Sequence, residues 1–187
     1  MKLHHEGAVK FEAEVSGSGS GPGKAGGIFY TPAMALSRDL HVALWRKLAP
    51  AGTTLDGLAA SGVRGLRLMV EAGAAVEFCD RSPLASAAIR ANLARNSLAV
   101  EVHVGDLREV LAGRKFGALD IDPFGTPAPF IPAAVRAVAD LLLDPGQVRL
   151  EGLVAVSDRA QHAEAAGLGY GRDHVAAVGE GHDRELD

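Results

Sequence analysis

The sequence of 187 residues lacks features that disulfide-bonded, zinc-binding, secreted and membrane proteins require. Its one cysteine, Cys79, excludes an internal disulfide and a zinc site made of four cysteines. The first residues, MKLHHEGAVKFEAEV, lack the apolar core of a signal peptide. No apolar run approaches the ~20 residues of a membrane-spanning helix. We therefore expect a cytoplasmic protein with no membrane partner and no metal.

An excess of positive charge is also missing. The chain has 19 Lys and Arg against 23 Asp and Glu, a formal net charge of −4. Proteins that bind nucleic acid through its phosphates usually carry a basic surplus, so the net charge gives no support for that partner. A local basic face is still compatible with this composition. The hydrophobic fraction of 48% is enough for a real core and, with the length, favours one domain.

The first 30 residues predict a small appendage. Residues 7–15 alternate apolar and polar side chains, which indicates a strand and one arm of a hairpin. Residues 16–27, SGSGSGPGKAGG, have the composition of a flexible loop. Their glycines are not followed by the lysine and threonine of a Walker motif, which favours a spacer over a phosphate-binding loop.

From residue 32 onwards, helix and strand patterns alternate. Met34, Leu40, Leu44 and Leu48 fall near one face and predict a helix over 32–48. Three further helices are predicted, one ending near Gly73, one capped by Ser82 and Pro83, and a short one after residue 106. Strands separate the helices, and residues 152–158 predict a fifth strand. This α/β order predicts a mostly parallel sheet with helices on both faces.

Acidic residues mark the ends of four predicted strands: Asp56, Asp80, Asp106 and Asp122. A single such acid is weak evidence, because aspartate is a common cap and turn residue. Ligands of such sheets bind beyond the carboxyl ends of the strands, where four acids would concentrate negative charge. The pattern favours a ligand with positive charge and several hydrogen-bond donors.

The turn after the first of these strands reads DGLAASGVRG, which is not the GxGxxG fingerprint of dinucleotide-binding proteins. Gly57 and Gly62 still allow a ligand to approach the backbone closely. Asp80 follows Gly62 by 18 residues, near the ~20 at which an acid binds ribose hydroxyls. An acid at the third strand end, Asp106, can accept from an adenine amino group. S-Adenosylmethionine, an adenosine with a sulfonium, fits this set better than a pyrophosphate dinucleotide.

The stretch DIDPFGTP, residues 120–127, predicts the chemistry. The exocyclic amine of a nucleobase is a poor nucleophile, and Asp122 can accept its proton as a methyl group is transferred. Pro123 fixes the direction of the backbone, and Phe124 offers a ring on which a flipped-out base can stack. A plain turn after a strand is the alternative interpretation.

The motif order resembles the tRNA guanine-26 N2-methyltransferases of archaeal and eukaryotic type. The resemblance covers about residues 6–139 and is carried by HEGAVKFEAEV, FYTPAMALSRD, LDGLAASGVRGLR, FCDRSP, VGDLRE and DIDPFGTPAPFIPAAVRA. It implies a Rossmann-like class I methyltransferase fold that transfers one or two methyl groups from S-adenosylmethionine to a guanine amino group in tRNA.

Each motif of the resemblance also implies roles for single residues. Arg38 and Arg64 would contact S-adenosylmethionine, Asp80 would hold its ribose, and Asp106 with Leu107 its adenine. Asp122 would be the catalytic acid. Read without the resemblance, both arginines are charged residues on helices, and that interpretation stays open.

The chain departs from the family at a few positions. Thr31 and Ser37 replace asparagines, and Leu107 replaces an alanine, which adds bulk beside the adenine. After residue 139 the family pattern is lost, and residues 158–187 predict an atypical, disordered tail without later strands. The expected division is therefore 1–30 as the appendage, 31–157 as the catalytic domain and 158–187 as the tail, with a sheet that is incomplete at its C-terminal side.

Three alternatives remain open at this stage. The chain could methylate another base or a glutamine amide, because similar loops carry out that chemistry. It could bind S-adenosylmethionine or another nucleoside without catalysis, because the sequence after residue 139 does not follow the separate RNA-binding domain that the resemblance implies. A nicotinamide enzyme fits least well, because the dinucleotide glycines are absent. The sequence leaves the oligomeric state and the number of methyl groups transferred undetermined.

Overall fold

The computed structural model describes residues 1–15, 28–138, 142–144, 147–149, 153–157 and 173–177, with side chains as far as residue 138. The flexible loop predicted over 16–27 lies outside the described residues. The same holds for the tail predicted over 158–187, except for residues 173–177.

A small three-stranded sheet opens the chain, with the order β1 (Lys2–Glu6), β2 (Val9–Val15) and β3 (Phe29–Tyr30). Strands β1 and β2 form an antiparallel hairpin, as predicted, and β3 pairs parallel with β2. The hairpin turns at Gly7, whose φ of +53° is a conformation that favours glycine.

The helices that follow lie close to their predicted positions, and Ser82 caps α3 as expected by accepting a hydrogen bond from the Ala85 N–H. A 3₁₀ turn over Pro32–Met34 leads into the first α-helix. The α-helices of the described residues are α1 (Ala35–Leu48), α2 (Val63–Ala72), α3 (Pro83–Arg95), α4 (Leu107–Ala112) and α5 (Ile131–Val138).

The main sheet has six strands in the described residues, in the spatial order β11-β10-β7-β4-β5-β6. Its five parallel strands confirm the predicted α/β class, and a separate hairpin precedes β10. The remaining strands are β4 (Thr54–Gly57), β5 (Val76–Asp80), β6 (Val102–Val104), β7 (Ala118–Ile121), β8 (Leu142–Asp144), β9 (Gln147–Arg149), β10 (Leu153–Ser157) and β11 (Asp173–Ala177).

Helices cover both faces of this sheet, as predicted. One core cluster contains buried side chains of β2, β5, α1, α2 and α3, among them Phe11, Trp45 and Phe78. The second cluster packs α4 and α5 against the opposite face, around Leu111 and Leu119. The helices change face because the chain crosses from β6, at one edge of the sheet, back to β7, which lies on the other side of β4.

The structure corrects three expectations. Strand β6 ends at Val104, two residues before Asp106, because Asp106 caps α4. Helix α1 buries Arg38, His41, Val42 and Trp45, whereas Leu40 on the predicted apolar face is 60% exposed. A later strand does exist, because β11 pairs antiparallel with β10, so the prediction of a tail without later strands is wrong.

Candidate active site at the sheet switch point

A pocket lies where β4 and β7 run side by side while their following helices cover opposite faces. Such a crevice at the carboxyl ends of parallel strands is where α/β proteins bind ligands. In the strand register, Asp56 of β4 is paired with Asp120 of β7. The pocket is lined by residues from β3, β4, α1, α2 and the segment after β7, among them Tyr30, Thr31, Arg38, Asp56, Arg64 and Asp122.

Arg64 joins the acids of the pocket. One terminal nitrogen of its guanidinium donates to Asp122 Oδ2 at 2.7 Å, and its Nε lies 3.4 Å from Asp120 Oδ2. The other terminal nitrogen lies 2.8 Å from His41 Nδ1. All four side chains are buried, so the electrostatic interactions among them are only weakly screened. The first turn of α2 therefore fixes the position of the proposed catalytic carboxylate.

Asp56 lies behind this network and has a strongly raised pKa. Its Oδ2 accepts a hydrogen bond from the Gly65 N–H at 2.9 Å. Burial raises the pKa of Asp56 to about 8, and the negative charge of Asp120 adds to that rise against the opposing effect of Arg64. Asp56 is therefore largely protonated at neutral pH, which reduces the negative charge of the pocket.

Arg38, a predicted cofactor residue, also lines the pocket. Its Nε and one terminal nitrogen each donate to a different carboxylate oxygen of Glu6, both at 2.6 Å, and its guanidinium lies 5.2 Å from the ring centre of Tyr30. The same Glu6 accepts from Arg67 at 3.1 Å. This pairing holds Arg38 in place and ties the first strand of the chain to the pocket.

Asp80 stands at the end of β5, where the sequence predicts it. One oxygen accepts from the Ala60 N–H at 2.9 Å, and the other accepts from the Ser82 N–H at 2.8 Å. The carboxylate therefore shapes both the glycine-bearing turn after β4 and the start of α3. Each carboxylate oxygen has a second lone pair, which can accept a hydrogen bond from a ribose hydroxyl.

Asp106 and Leu107 follow β6 further along the same edge. Asp106 caps α4 and accepts two hydrogen bonds from the side chain of Arg108, at 2.9 and 2.6 Å. These hydrogen bonds lower the pKa of Asp106 to about 2, so it is ionised. Leu107 is buried, with its side chain near Gly57, so its extra bulk lies in the core and not in front of the sheet edge.

Pro123 and Phe124 directly follow Asp122. Pro123 is buried, whereas the ring of Phe124 is about half exposed. It makes an edge-to-face contact with Phe29, at 4.8 Å between ring centres, and Phe29 lines the pocket. The ring of Phe124 therefore lies beside the pocket, in contact with a ring that lines it.

The structure brings Arg38, Arg64 and Asp122 together in one pocket, whereas Asp80 and Asp106 lie along the sheet edge beside it. Sequence reasoning missed the roles of Glu6, Phe29, His41 and Asp120. The sole signal for Asp120 was an acid inside an apolar run, and the sequence analysis gave His41 no role. Glu6 and Phe29 stand in motifs of the resemblance, but no role was assigned to them because their partners are far away in the sequence.

A second cluster lies outside the pocket, at the edge strand β6. Ligand atoms of Glu77, Glu101 and His103 all lie within 4.8 Å of one another. The guanidinium of Arg114 lies 2.9 Å from Glu77 and 3.3 Å from Glu101, so positive charge is already present there. The expectation that the chain holds no metal remains a prediction.

A model of one protein family, N2,N2-dimethylguanosine tRNA methyltransferase, matches residues 8–143. That span is well over half of the chain. The chain belongs to this family. The resemblance carried by the sequence motifs is thereby confirmed. Within the described residues, no helix combines the length and apolar character needed to cross a bilayer.

Curated relatives are similar over the same region. A tRNA (guanine(26)-N(2))-dimethyltransferase of Methanoregula boonei is 42% identical over 139 residues, which is 74% of this chain and 37% of the relative. The protein of the same name from Methanospirillum hungatei is 43% identical over 110 residues, 59% of this chain and 30% of the relative. The chain spans about a third of the length of the curated relatives it matches.

Solved structures confirm the methyltransferase fold. Trm1 from Pyrococcus horikoshii, determined in complex with S-adenosyl-L-methionine, superposes with a TM-score of 0.66 at 27% identity, covering 84% of this chain and 42% of that one. The tRNA m1G37 methyltransferase of M. jannaschii has a TM-score of 0.59 at 15% identity, over 83% of this chain and 42% of that one, and supports the fold alone.

Proposed function

We propose that this chain transfers a methyl group from S-adenosylmethionine to the exocyclic N2 amine of a guanine in tRNA, in the cytoplasm. The matched relatives are named for guanine 26, which makes that nucleotide the proposed target. One observation carries the proposal: Asp122 lies in the switch-point pocket, 6% exposed and paired with Arg64 at 2.7 Å.

The donor groups of the pocket and the sheet edge fit S-adenosylmethionine. In this proposal Asp80 offers acceptors for the ribose hydroxyls, and Asp106 with Leu107 would hold the adenine. Arg38 and Arg64 supply N–H donors for the carboxylate of the methionine part. Three acidic side chains, Asp56, Asp120 and Asp122, surround Arg64, and in this proposal their side of the pocket receives the positively charged sulfonium.

The chain's own residues would act on the target amine. Asp122 accepts a hydrogen bond from one N2–H, which localises the nitrogen lone pair, and then takes the proton as the N–C bond forms. The ion pair with Arg64 favours the ionised carboxylate, the form that can accept a proton. When bound, S-adenosylmethionine supplies the methyl group, and its sulfur retains the electron pair of the broken S–C bond.

The residues after Asp122 would position the base. Pro123 fixes the direction of the backbone, and the exposed ring of Phe124 offers a stacking surface for a base that has left its helix. The edge-to-face contact with Phe29 supports this role, because it orients the ring at the side of the pocket.

The first experiment tests the cofactor. Calorimetry should detect binding of S-adenosylmethionine and no binding of NAD. Asp80→Ala should weaken S-adenosylmethionine binding by roughly 1.5–3 kcal/mol, because charge-assisted hydrogen bonds to the ribose are lost. Asp80→Asn, which keeps one acceptor oxygen, should weaken it less. Equal affinity in the wild type and a folded Asp80→Ala variant would reject the ribose role.

The second experiment separates chemistry from binding. Asp122→Asn should lower methyl transfer to tRNA by 10²–10⁴-fold, the usual contribution of a general base, while changing cofactor affinity only a few fold. Asp39→Asn is the matched control, since Asp39 is exposed and outside the pocket. Cofactor binding without methyl transfer by the wild type would indicate the non-catalytic binding module. Methylation of another base would replace the guanine assignment.

A further inference from the structure

A groove between α4 and α5 collects positive charge on the face opposite α1–α3. Ten residues line it, and four of them are cations, namely Arg108, Arg114, Lys115 and Arg136, whereas none is acidic. The other lining residues are small or apolar, including Pro129 and Pro132. The groove therefore presents a cationic surface over an apolar floor.

This local charge opposes that of the chain as a whole. Between residues 107 and 138 the acids are Glu109, Asp120 and Asp122, and the last two are buried in the pocket. The segment thus has four cations and one exposed acid, which leaves 15 of the 19 cations and 20 of the 23 acids for the rest of the chain. The net charge of −4 for the whole chain therefore gives no indication of this basic segment.

Acidic residues outside the groove pair with two of its cations. Arg108 is paired with Asp106 at 2.6 Å, although its side chain is 57% exposed. Arg114 is paired with Glu77 of β5 at 2.9 Å. Lys115 and Arg136 are both exposed, and Lys115 Nζ donates to the backbone oxygen of Arg136 at 2.9 Å. Because that hydrogen bond brings the two exposed residues together, they form one cationic end of the groove that a paired substitution can test.

The groove starts at the catalytic edge of the sheet. Helix α4 begins directly after Asp106, and α5 begins after the loop that contains Asp122 and Phe124. Both helices lead away from that edge, so Arg108 and Pro129 lie near it, while Lys115 and Arg136 lie toward the opposite edge. An eight-residue helix such as α5 is about 12 Å long, which gives the groove the reach of several nucleotides.

We propose that this groove binds the backbone phosphates of the RNA whose base enters the pocket. The proposal rests on the proposed function, and it adds a location for the phosphate contacts that must offset the cost of base flipping. Charge complementarity selects the occupant, because a cationic track without acids in its lining matches a polyanion. Continuity with the loop after β7 places that polyanion beside the pocket.

The test uses the full chain and a tRNA transcript. Lys115→Gln combined with Arg136→Gln removes two groove charges, and Lys10→Gln combined with Lys47→Gln removes two exposed charges elsewhere. Filter binding from 50 to 200 mM salt gives the slope of log K against log salt, which changes by about 0.7–0.9 for each phosphate that the protein no longer neutralises. The groove variant should lower the magnitude of the slope by about 1.4–1.8 and weaken binding at 50 mM salt at least tenfold.

The control variant should bind tRNA as the wild type does. Equal losses of affinity in both double variants would attribute binding to net charge alone and overturn the proposal. A groove variant with the wild-type slope would also overturn it, and so would a wild type that binds no tRNA.

Calorimetry with S-adenosylmethionine is done in parallel, and the cofactor affinity should be the same in the groove variant and the wild type. Failure of cofactor binding in the wild type would instead count against the proposed function. Thermal melting confirms that the variants fold, and Arg136→Gln alone serves if the double variant does not.

Discussion

Asp56 shows how one buried residue adapts to a crowded acidic site. It lies next to Asp120 in the strand register and shares the pocket with Arg64. The rise of its pKa to about 8 means that the folded protein holds a proton which a solvated aspartate, with a pKa near 3.9, would release. The site therefore keeps three carboxyl groups close together without three full charges.

This protonation predicts an unusual pH dependence of stability. Between pH ~4 and pH ~8 the folded state binds the proton and the unfolded state does not, so the free energy of unfolding should fall as pH rises. The slope contributed by Asp56 is at most about 1.4 kcal/mol per pH unit. Urea unfolding at pH 5, 6, 7 and 8 should show Asp56→Asn gaining stability relative to the wild type as pH rises.

Asp120→Asn gives the matching control for this prediction. The charge of Asp120 is the second cause of the raised pKa, so its removal should lower the upper end of the pH range over which stability falls. Stability curves of wild type and Asp56→Asn that stay parallel from pH 5 to 8 would contradict the assignment.

At the scale of elements, α2 packs against the sheet through a glycine. A Cβ atom on Gly65 would lie 2.4 Å from Phe78 Cε1 and 2.8 Å from Asp56 Oδ2. Gly65→Ala should therefore destabilise the fold by about 1–3 kcal/mol, the cost of overpacking, although alanine favours helices by up to about 1 kcal/mol over glycine. Urea unfolding measures the difference.

Gly113→Ala is the control for Gly65→Ala. Gly113 ends α4 with a φ of −112°, and a Cβ atom there would meet nothing within 4 Å. Its unfolding free energy should stay within about 0.5 kcal/mol of the wild type, as for most surface substitutions. An unchanged stability for Gly65→Ala would mean that α2 can move away from the sheet, and the contacts of Asp56 would then have to change.

Most elements could be predicted from the sequence because their patterns are local. Ser82 and Pro83 mark the start of α3, and Gly73 marks the end of α2. The face of α1 could not be predicted in the same way. Its buried side includes Arg38 and His41, whose partners lie in other elements, so Leu40 and Leu48 of the predicted apolar face are exposed.

The candidate site was predictable to the same extent. Asp80 ends a strand and Asp122 follows one, and those positions are visible in the sequence. The pairing of Arg64 with Asp122 joins residues 58 positions apart, and nothing in either local pattern indicates it. The pairing of Asp56 with Asp120 depends on the order of strands in the sheet, which a single sequence does not specify.

On the scale of the whole molecule, two asparagines, one in α3 and one at its C-terminal cap, hydrogen-bond the N-terminal sheet to the main domain. Asn92 is buried, accepts from the Glu12 N–H at 2.8 Å and donates to the backbone oxygens of Glu12 and Ser61. Asn96 makes a similar pair with the backbone of Lys10 in an exposed position. The hairpin is thus bound along its backbone.

Burial should decide how much each asparagine contributes. Asn92→Ala leaves buried backbone groups without their partner, which costs about 1–3 kcal/mol for each group, and it should destabilise the protein by at least about 2 kcal/mol. Asn96→Ala should cost less than about 1 kcal/mol, because water replaces the missing hydrogen bonds. Urea unfolding gives both values, and hydrogen exchange in β2 should increase in Asn92→Ala. Equal costs for the two variants would contradict this account.

The switch between β4 and β7 also has a consequence for how such a protein can change over generations. The acids proposed to face the nucleoside stand on one half of the sheet, at β5 and after β6, whereas Asp122 and Phe124 stand on the other, in the loop between β7 and α5. Under the proposed function, substitutions in that single loop would alter which amine is presented to the methyl donor without replacing the acids of the other half. Asp122 is joined to the other half by its ion pair with Arg64, so the loop beyond Asp122 is the part that could be exchanged or redesigned separately.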